Sequence, residues 1–551
     1  MNSNETVNIA SYLADLAIEN PHSLAVVAAY KKDSMGRNTY VHLTTKQLHD
    51  ESDYIANGLE AFGISKGTKT ALMVNPSPIF FALVFALFKI GAVPVIIDPG
   101  IGTKSMGVAL EEVQPTAFIG IPKAQIARIL FGWSKKSIKI IITCGKKYFW
   151  GGHTLTEIRK TGIQSGYYVM ADTADNDMAA ILFTSGSTGV PKGAVYTHGI
   201  FDNQIKYLKE VYNIKPGERD LSTFPLFALF GPALGMTSII PDMDPTKPAK
   251  ADPEKLISAI EDFGTTNMFA SPALIENLGR YGEQEGLLLH SIKRVISAGA
   301  PARPASIERF TKILQEEVEV FTPYGATEAL PVCNIGSTEL LVSAKQFTEQ
   351  GKGACIGKPN NGIILKVIKI TDEPIPVWSD DLELPDGEIG EFAVSGSIVT
   401  KEYYNREEST KLAKIYDANT FYHRMGDVGY KDKDGKFWFC GRKSHRVKTS
   451  KETLFTIPCE AVFNNHEDVY RSALVGIRDG EYQKAVICVE LEPKKKTHKN
   501  LIPELKEIAK KYEHTKNIDT FIIHPAFPVD IRHNAKIFRE KLAAWAEERL
   551  K

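Results

Sequence analysis

The sequence predicts an α/β protein: a large N-terminal domain of two stacked, mostly parallel α/β units with a small β-rich lobe, followed by a small α+β C-terminal domain. Three observations carry this expectation. Apolar strand-like runs alternate with helix-like segments over residues 65–180, and the alternation resumes after about residue 200. Between about 351 and 438 the texture changes to short runs punctuated by Gly, Asp and Pro. The last hundred or so residues then bring both periodicities back as a separate stretch. At 551 residues the chain is also too long for one ordinary core.

Taken in order, residues 68–75 (TKTALMVN), 92–97 and 138–143 read as buried strands separated by helical patterns, the order of a parallel sheet. The longest apolar stretch, residues 80–97, is broken by Lys89, Gly91 and Pro94, so it reads as a buried helix turning into a strand rather than a membrane span. Residues 178–183 and 194–196 read as the two arms of a hairpin. The second unit follows with a helix over about 200–212, a strand near 221–224 and a strand over 294–297 that ends at Gly299, Ala300 and Pro301. Near the end, residues 471–477, 484–491 and 520–524 read as strands, 501–512 as an amphipathic helix and 536–550 as a terminal helix.

Composition narrows the function. Lys plus Arg (66) equal Asp plus Glu (66), which argues against a duplex nucleic-acid binder held by a basic face. Hydrophobic content of 43% and charged content of 24% are those of a soluble globular protein. The six cysteines are widely spaced with no CxxC pair, so neither a disulfide framework nor a zinc site is expected. The first twenty residues lack a basic start followed by an apolar core, and a cytoplasmic location is the expectation. The basic run over 494–499 reads as a solvated loop.

The hairpin just mentioned encloses the most informative stretch, FTSGSTGVPKG, residues 183–193. Gly186, Gly189 and Gly193 let backbone approach a ligand with no Cβ in the way. Thr184, Ser185, Ser187 and Thr188 supply hydroxyls, free N–H groups in such a turn form a nest for anionic oxygens, and Lys192 adds a mobile positive charge. It is a phosphate loop. Pro191 before the lysine and Gly193 after it exclude the nucleoside-triphosphatase pattern, and the glycine spacing is not that of a dinucleotide fold.

Further short motifs follow: GAP at residues 299–301, TPYGATE at 322–328, GEIGE at 387–391, Gly426-Asp427, Gly441-Arg442 and Lys536 near the C-terminus. In this order, and over nearly the whole length, the chain resembles the acid-adenylating superfamily of acyl-CoA synthetases, peptide-synthetase adenylation domains and luciferases. The resemblance implies ATP and Mg²⁺ as cofactors and attack of a carboxylate on the α-phosphorus, which gives an acyl-adenylate and pyrophosphate. It implies that Ser185, Gly186, Ser187, Thr188, Gly189 and Lys192 hold the phosphates, and that Gly299, Ala300, Pro301 and Gly325 line the nucleotide. Tyr324 would stack on adenine, Thr327 would bond the α-phosphate, and Glu328 with Thr184 would hold Mg²⁺. Asp427 and Arg442 would hold the ribose. Lys536, with Thr184 and Glu328, would serve catalysis by bridging the carboxylate and the α-phosphate. A domain of residues 1–443 and a mobile domain of 444–551 are implied, with Ser444 at the hinge.

Some spellings depart from the common pattern. Lys451 stands where thioester-forming relatives have glycine and would crowd a pantetheine arm. Ala228 stands where acyl-CoA synthetases often carry histidine, and Asn534-Ala535 precedes the lysine where glycine is usual. These features, with TPYGATEALPV and RMGDVGY, resemble the β-lactone synthetases of bacterial long-chain olefin biosynthesis. That resemblance implies a long-chain 3-hydroxy carboxylic acid substrate whose own hydroxyl displaces AMP, and assembly with other enzymes of the same lipid pathway. A fatty acid-CoA ligase, a fatty acyl-AMP ligase and a non-catalytic nucleotide-binding protein remain the alternatives. The acid pocket is expected between the helix after His198 and the apolar region 224–236, with His198 a candidate but unassigned base.

Overall fold

A computed structural model describes residues 7–183, 191–223, 230–492, 495, 497, 499–529 and 537–551, without the side chains of Pro99 and Phe230. Two seven-stranded sheets form the body. The first runs in the order His153–Thr154, Ile140–Thr143, Ala117–Gly120, Lys69–Met73, Val93–Ile96, Met178–Phe183 and Gly193–Thr197. Every neighbouring pair is parallel except the last, which is antiparallel with Phe183 opposite Gly193. The arms of the expected hairpin are therefore present.

The second sheet has the order Glu319–Phe321, Arg294–Ser297, Asn267–Ala270, Arg219–Ser222, Thr237–Ile240, Leu24–Lys32 and Asn38–Thr44. It too is parallel except for its last pair. Its strands Asn267–Ala270 and Arg294–Ser297 are buried throughout, as parallel strands covered on both faces must be. The helix Pro78–Ile90 is apolar on every side and buried from Phe80 to Ile90. It joins one core cluster with Leu72 and Ile119 of the first sheet and Val26 and Ile296 of the second, which stacks the two units. Ser77 caps its start, and Gly91 at φ 71° ends it in a left-handed turn. Its one charge, Lys89, is fully buried and paired with Asp53 at 2.5 Å.

The β-rich lobe is an eight-stranded antiparallel sheet, and it begins earlier than residue 351. Tyr324–Ala326 and Ala329–Asn334 pair with each other and then with Ala354–Pro359. A three-residue strand reading Tyr-Gly-Ala carries no apolar alternation to announce it. The C-terminal stretch builds a three-stranded sheet from Val469–Asp479, Tyr482–Leu491 and Thr520–Ile523, with its own apolar clusters on both faces. The terminal helix is Arg539–Leu550, three residues shorter at its start than expected.

Candidate active site

The carboxyl ends of strands from both parallel sheets converge on one cavity of about 970 Å³. Asp98, Phe183, Thr223, Ser271, Ala298 and Thr322 each lie at or just past such a strand end and line it. Open α/β sheets bind ligands at this place because the chain leaves the strands there and loops become available. The antiparallel sheet closes the opposite wall, and Ser444, Ile537 and Arg539 reach the cavity from the C-terminal stretch.

Ten residues named from the sequence line this cavity together: Lys192, Gly299, Ala300, Pro301, Tyr324, Gly325, Thr327, Glu328, Asp427 and Arg442. Thr184, Ser185, Gly186, Ser187, Thr188, Gly189 and Lys536 lie outside the described residues, as do Phe224, Leu226, Phe227, Ala228 and Leu229. Ile537, the residue after Lys536, lines the cavity.

Local backbone explains why the TPYGATE segment stands where it does. Strand Tyr324–Ala326 turns back on Ala329–Asn334, and a Cβ on Gly325 would fall 2.5 Å from the Ala329 carbonyl oxygen. Only glycine lets that hairpin close, and Thr327 and Glu328 form its tip. The Thr327 carbonyl accepts a hydrogen bond from the Tyr196 hydroxyl. Tyr403 Oη donates to Glu328 Oε1 at 2.7 Å, and Lys192 Nζ sits 5.0 Å from the centre of the Tyr403 ring. Burial pushes the Lys192 ammonium below its usual range, with Glu328 opposing.

Asp427 and Arg442 face each other in register on Thr420–Lys431 and Phe437–Arg442. Asp427 is 3% exposed, and burial raises its carboxyl above the ordinary range. Tyr324 Oη donates to its Oδ2 at 2.8 Å. Arg442 Nη1 lies 3.0 Å from Oδ1 and donates to the Met425 carbonyl, while Oδ1 has no aligned hydrogen bond. A buried carboxylate oxygen on the cavity wall thus keeps its accepting capacity, which suits the hydroxyls of a sugar. Glu328 offers the hard oxygen donor that Mg²⁺ takes, an ion that binds through one or two carboxylates plus phosphate oxygens. Among the described residues no cluster of three His, Cys, Asp or Glu side chains could hold a metal unaided.

Other expectations fall differently. His198 does not line the cavity. It is fully buried against Phe88, its Nδ1 accepts from the Ile9 amide at 3.3 Å, and burial pushes it down to about 4. Leu234 and Met236 pack into the core instead of the pocket, whereas Phe201 and Leu208 of helix His198–Tyr212 do face it. Lys451 is exposed in the turn between Val447–Lys448 and Thr453–Leu454, away from the cavity.

Four residues near the site carried no sequence motif. Besides Tyr403, Lys414 is fully buried, donates to the Thr400 carbonyl, and is pushed down to about 7 by burial, with Glu328 and Glu402 opposing. His423 is buried on the same strand as Asp427, lowered well below its ordinary value by burial and then by Lys414 and Lys192. Arg539 is committed to Glu460 through an ion pair of 2.5 Å.

Comparison with known proteins agrees with this geometry. The family described as AMP-binding enzyme matches residues 16–404. The chain is 46% identical to an olefin β-lactone synthetase of Xanthomonas campestris pv. campestris, covering 98% of each chain. It is 45% identical to one from Stenotrophomonas maltophilia, covering 99% of each. Among solved structures, it superposes with a TM-score of 0.81 at 17% identity on the anthranilate CoA ligase AuaEII in complex with anthranoyl-AMP, covering 99% of this chain and 98% of that one. ATP-bound MatB from Rhodopseudomonas palustris gives 0.78 at 18%, covering 99% and 100%. At such identities these two show the shared fold.

Proposed function

Because the chain belongs to the AMP-binding enzymes and is an AMP-forming ligase, we propose that it activates a long-chain 3-hydroxy carboxylic acid with ATP and closes it to a β-lactone. The observation that carries this reading is the near-full-length similarity to two olefin β-lactone synthetases. The cavity supports it, since the apolar side chains of Phe201, Leu208 and Phe269 and the polar wall of Tyr324, Asp427 and Arg442 share one space.

In this reading Asp427 and Arg442 hold the ribose, Tyr324 and the GAP segment flank the base, and Lys192 meets the phosphates. Mg²⁺, held by Glu328 with Thr184, would supply charge neutralisation at the phosphates. Lys536 offsets the negative charge that accumulates between carboxylate and α-phosphorus. In the second step the 3-oxygen attacks the acyl carbon. A carbon–oxygen bond forms, the bond from that carbon to the phosphate oxygen breaks with its electron pair leaving on AMP, and the hydroxyl proton passes to the departing phosphate. A hydroxyl held in the same molecule needs no second substrate site, and such intramolecular attack gains strongly from proximity.

The test supplies purified protein with ATP, Mg²⁺ and a long-chain 3-hydroxy acid, with and without coenzyme A, and reads products by NMR at low temperature. The expected product is a β-lactone, independent of coenzyme A. A coenzyme-dependent thioester as the main product would sink the lactone proposal in favour of a ligase. Lys536→Ala should abolish acid-dependent pyrophosphate exchange while ATP binding persists.

A further inference from the structure

Besides Asp427 Oδ1, two buried polar atoms on the cavity wall, one on Gln204 and one on Ser297, have no hydrogen-bond partner among the described residues. Gln204 is 5% exposed and its Oε1 accepts nothing among the described residues; Ser297 is 2% exposed and its Oγ is equally unpaired. Both line the cavity. Leaving a buried acceptor or hydroxyl unsatisfied costs about 1–3 kcal/mol. The neighbours of Gln204 are largely apolar, since Phe201 and Leu208 flank it on the same helix face and Phe269 and Leu330 line the same cavity.

The direction in which Gln204 points is fixed chemically. Its Nε2 donates to the Leu330 carbonyl at 3.0 Å, and a carbonyl only accepts, so the NH₂ end must face Leu330 and the Oε1 end must face away. The same side chain hydrogen-bonds Tyr196, whose hydroxyl donates to the Thr327 carbonyl. Gln204 is therefore clamped to the segment 327–330, on either side of Glu328. A free acceptor held this close to the activation centre matches a hydroxyl two carbons from the carboxylate better than any group further along an alkyl chain.

We propose that Gln204 Oε1 accepts a hydrogen bond from the 3-hydroxyl of the bound acid, with Ser297 Oγ as a second polar contact, so that this pair selects hydroxylated over unsubstituted acids. The proposal rests on the lactone-forming reading above. An amide cannot take the proton, so Gln204 is a positioning and specificity-determining residue. It presents the oxygen to the acyl carbon and leaves deprotonation to the departing phosphate.

The test compares acid-dependent pyrophosphate exchange with 3-hydroxytetradecanoic acid and tetradecanoic acid in the wild type, Gln204→Leu and Ser297→Ala. The wild type should favour the hydroxy acid in kcat/KM by roughly tenfold or more, since a site built to bond a hydroxyl rejects the analogue lacking it. Gln204→Leu should cut that ratio by roughly tenfold, over and above any loss that the missing Leu330 bond imposes on both acids alike, and Ser297→Ala should shift it the same way by less. Equal losses for both acids would mark a merely structural glutamine and overturn the proposal. So would a wild type indifferent to the hydroxyl, a reading that needs no variant to fold. Absence of exchange with either acid in the wild type would instead strike the underlying adenylation reading.

Discussion

His198 shows how burial separates a candidate base from a structural histidine. Its imidazole packs against Phe88 with Nδ1 accepting from the Ile9 amide, and it does not line the cavity. Its value is pushed from 6.5 to about 4, chiefly by burial. The sign of the consequence follows. Above pH 6.5 the ring is neutral both folded and unfolded and adds no pH dependence. Between 6.5 and 4 the unfolded chain takes up a proton that the folded chain refuses, so stability falls as pH falls. For one proton this amounts to about 2 kcal/mol between pH 6.5 and 5. His198→Asn keeps an acceptor for Ile9 and should flatten that part of the curve, read from urea midpoints at the two pH values. Other buried histidines, such as His423, leave a residual slope. Adenylation at pH 7.5 should stay within about threefold of the wild type, and a much larger loss would return His198 to the catalytic candidates.

At the scale of elements, the hairpin from Tyr324 to Asn334 is the part of the fold that the site depends on most directly. Gly325→Ala would set a Cβ 2.5 Å from the Ala329 carbonyl oxygen and 3.1 Å from Leu330 Cα, both backbone atoms that cannot swing aside. Opening the turn shifts Thr327 and Glu328, and displacements of about 1 Å at a reacting centre cost roughly a hundredfold. Gly325→Ala should therefore lower kcat for pyrophosphate exchange by about that factor with circular dichroism unchanged, and near-normal kcat would show that the hairpin tolerates opening. This hairpin also marks where the sequence stops being readable. Strands such as Val93–Ile96 announce themselves because parallel strands are covered on both faces and so run apolar. Tyr324–Ala326, only three residues long, is too short for that signal, and Leu24–Lys32 joins the second sheet by pairing with Thr237–Ile240, some two hundred residues away. Glu328, Asp427 and Arg442 were legible because each belongs to a short ordered motif. Tyr403, Lys414 and His423 were not, because what singles them out is burial beside Glu328 and Lys192, a property of chain packing that local spelling does not record.

At the scale of the whole molecule, the question is how the unit of residues 444–551, which we propose as the mobile domain, serves two chemical steps. Ser444 lies in a 3₁₀ turn, Lys443–His445, immediately after Arg442. Ser444, Ile537 and Arg539 line the same cavity as Asp427 and Glu328, so the C-terminal stretch already reaches those residues' cavity in this arrangement. Contacts from Arg303 to the Tyr470 carbonyl and from Asn465 to the Glu349 carbonyl at 2.8 Å hold the two parts together. A thioester-forming enzyme would have to leave this arrangement to admit a second substrate. A lactone needs only the oxygen already bound beside the acyl carbon. Ser444→Pro discriminates between these cases, because proline fixes φ at about −65°, the value of a 3₁₀ turn, and removes the freedom a rotation would use. The variant should keep pyrophosphate exchange within about threefold of the wild type and yield the same amount of lactone per adenylate formed. Exchange retained with lactone lost, and adenylate accumulating, would mean that ring closure waits on a domain rotation that the chemistry itself does not require.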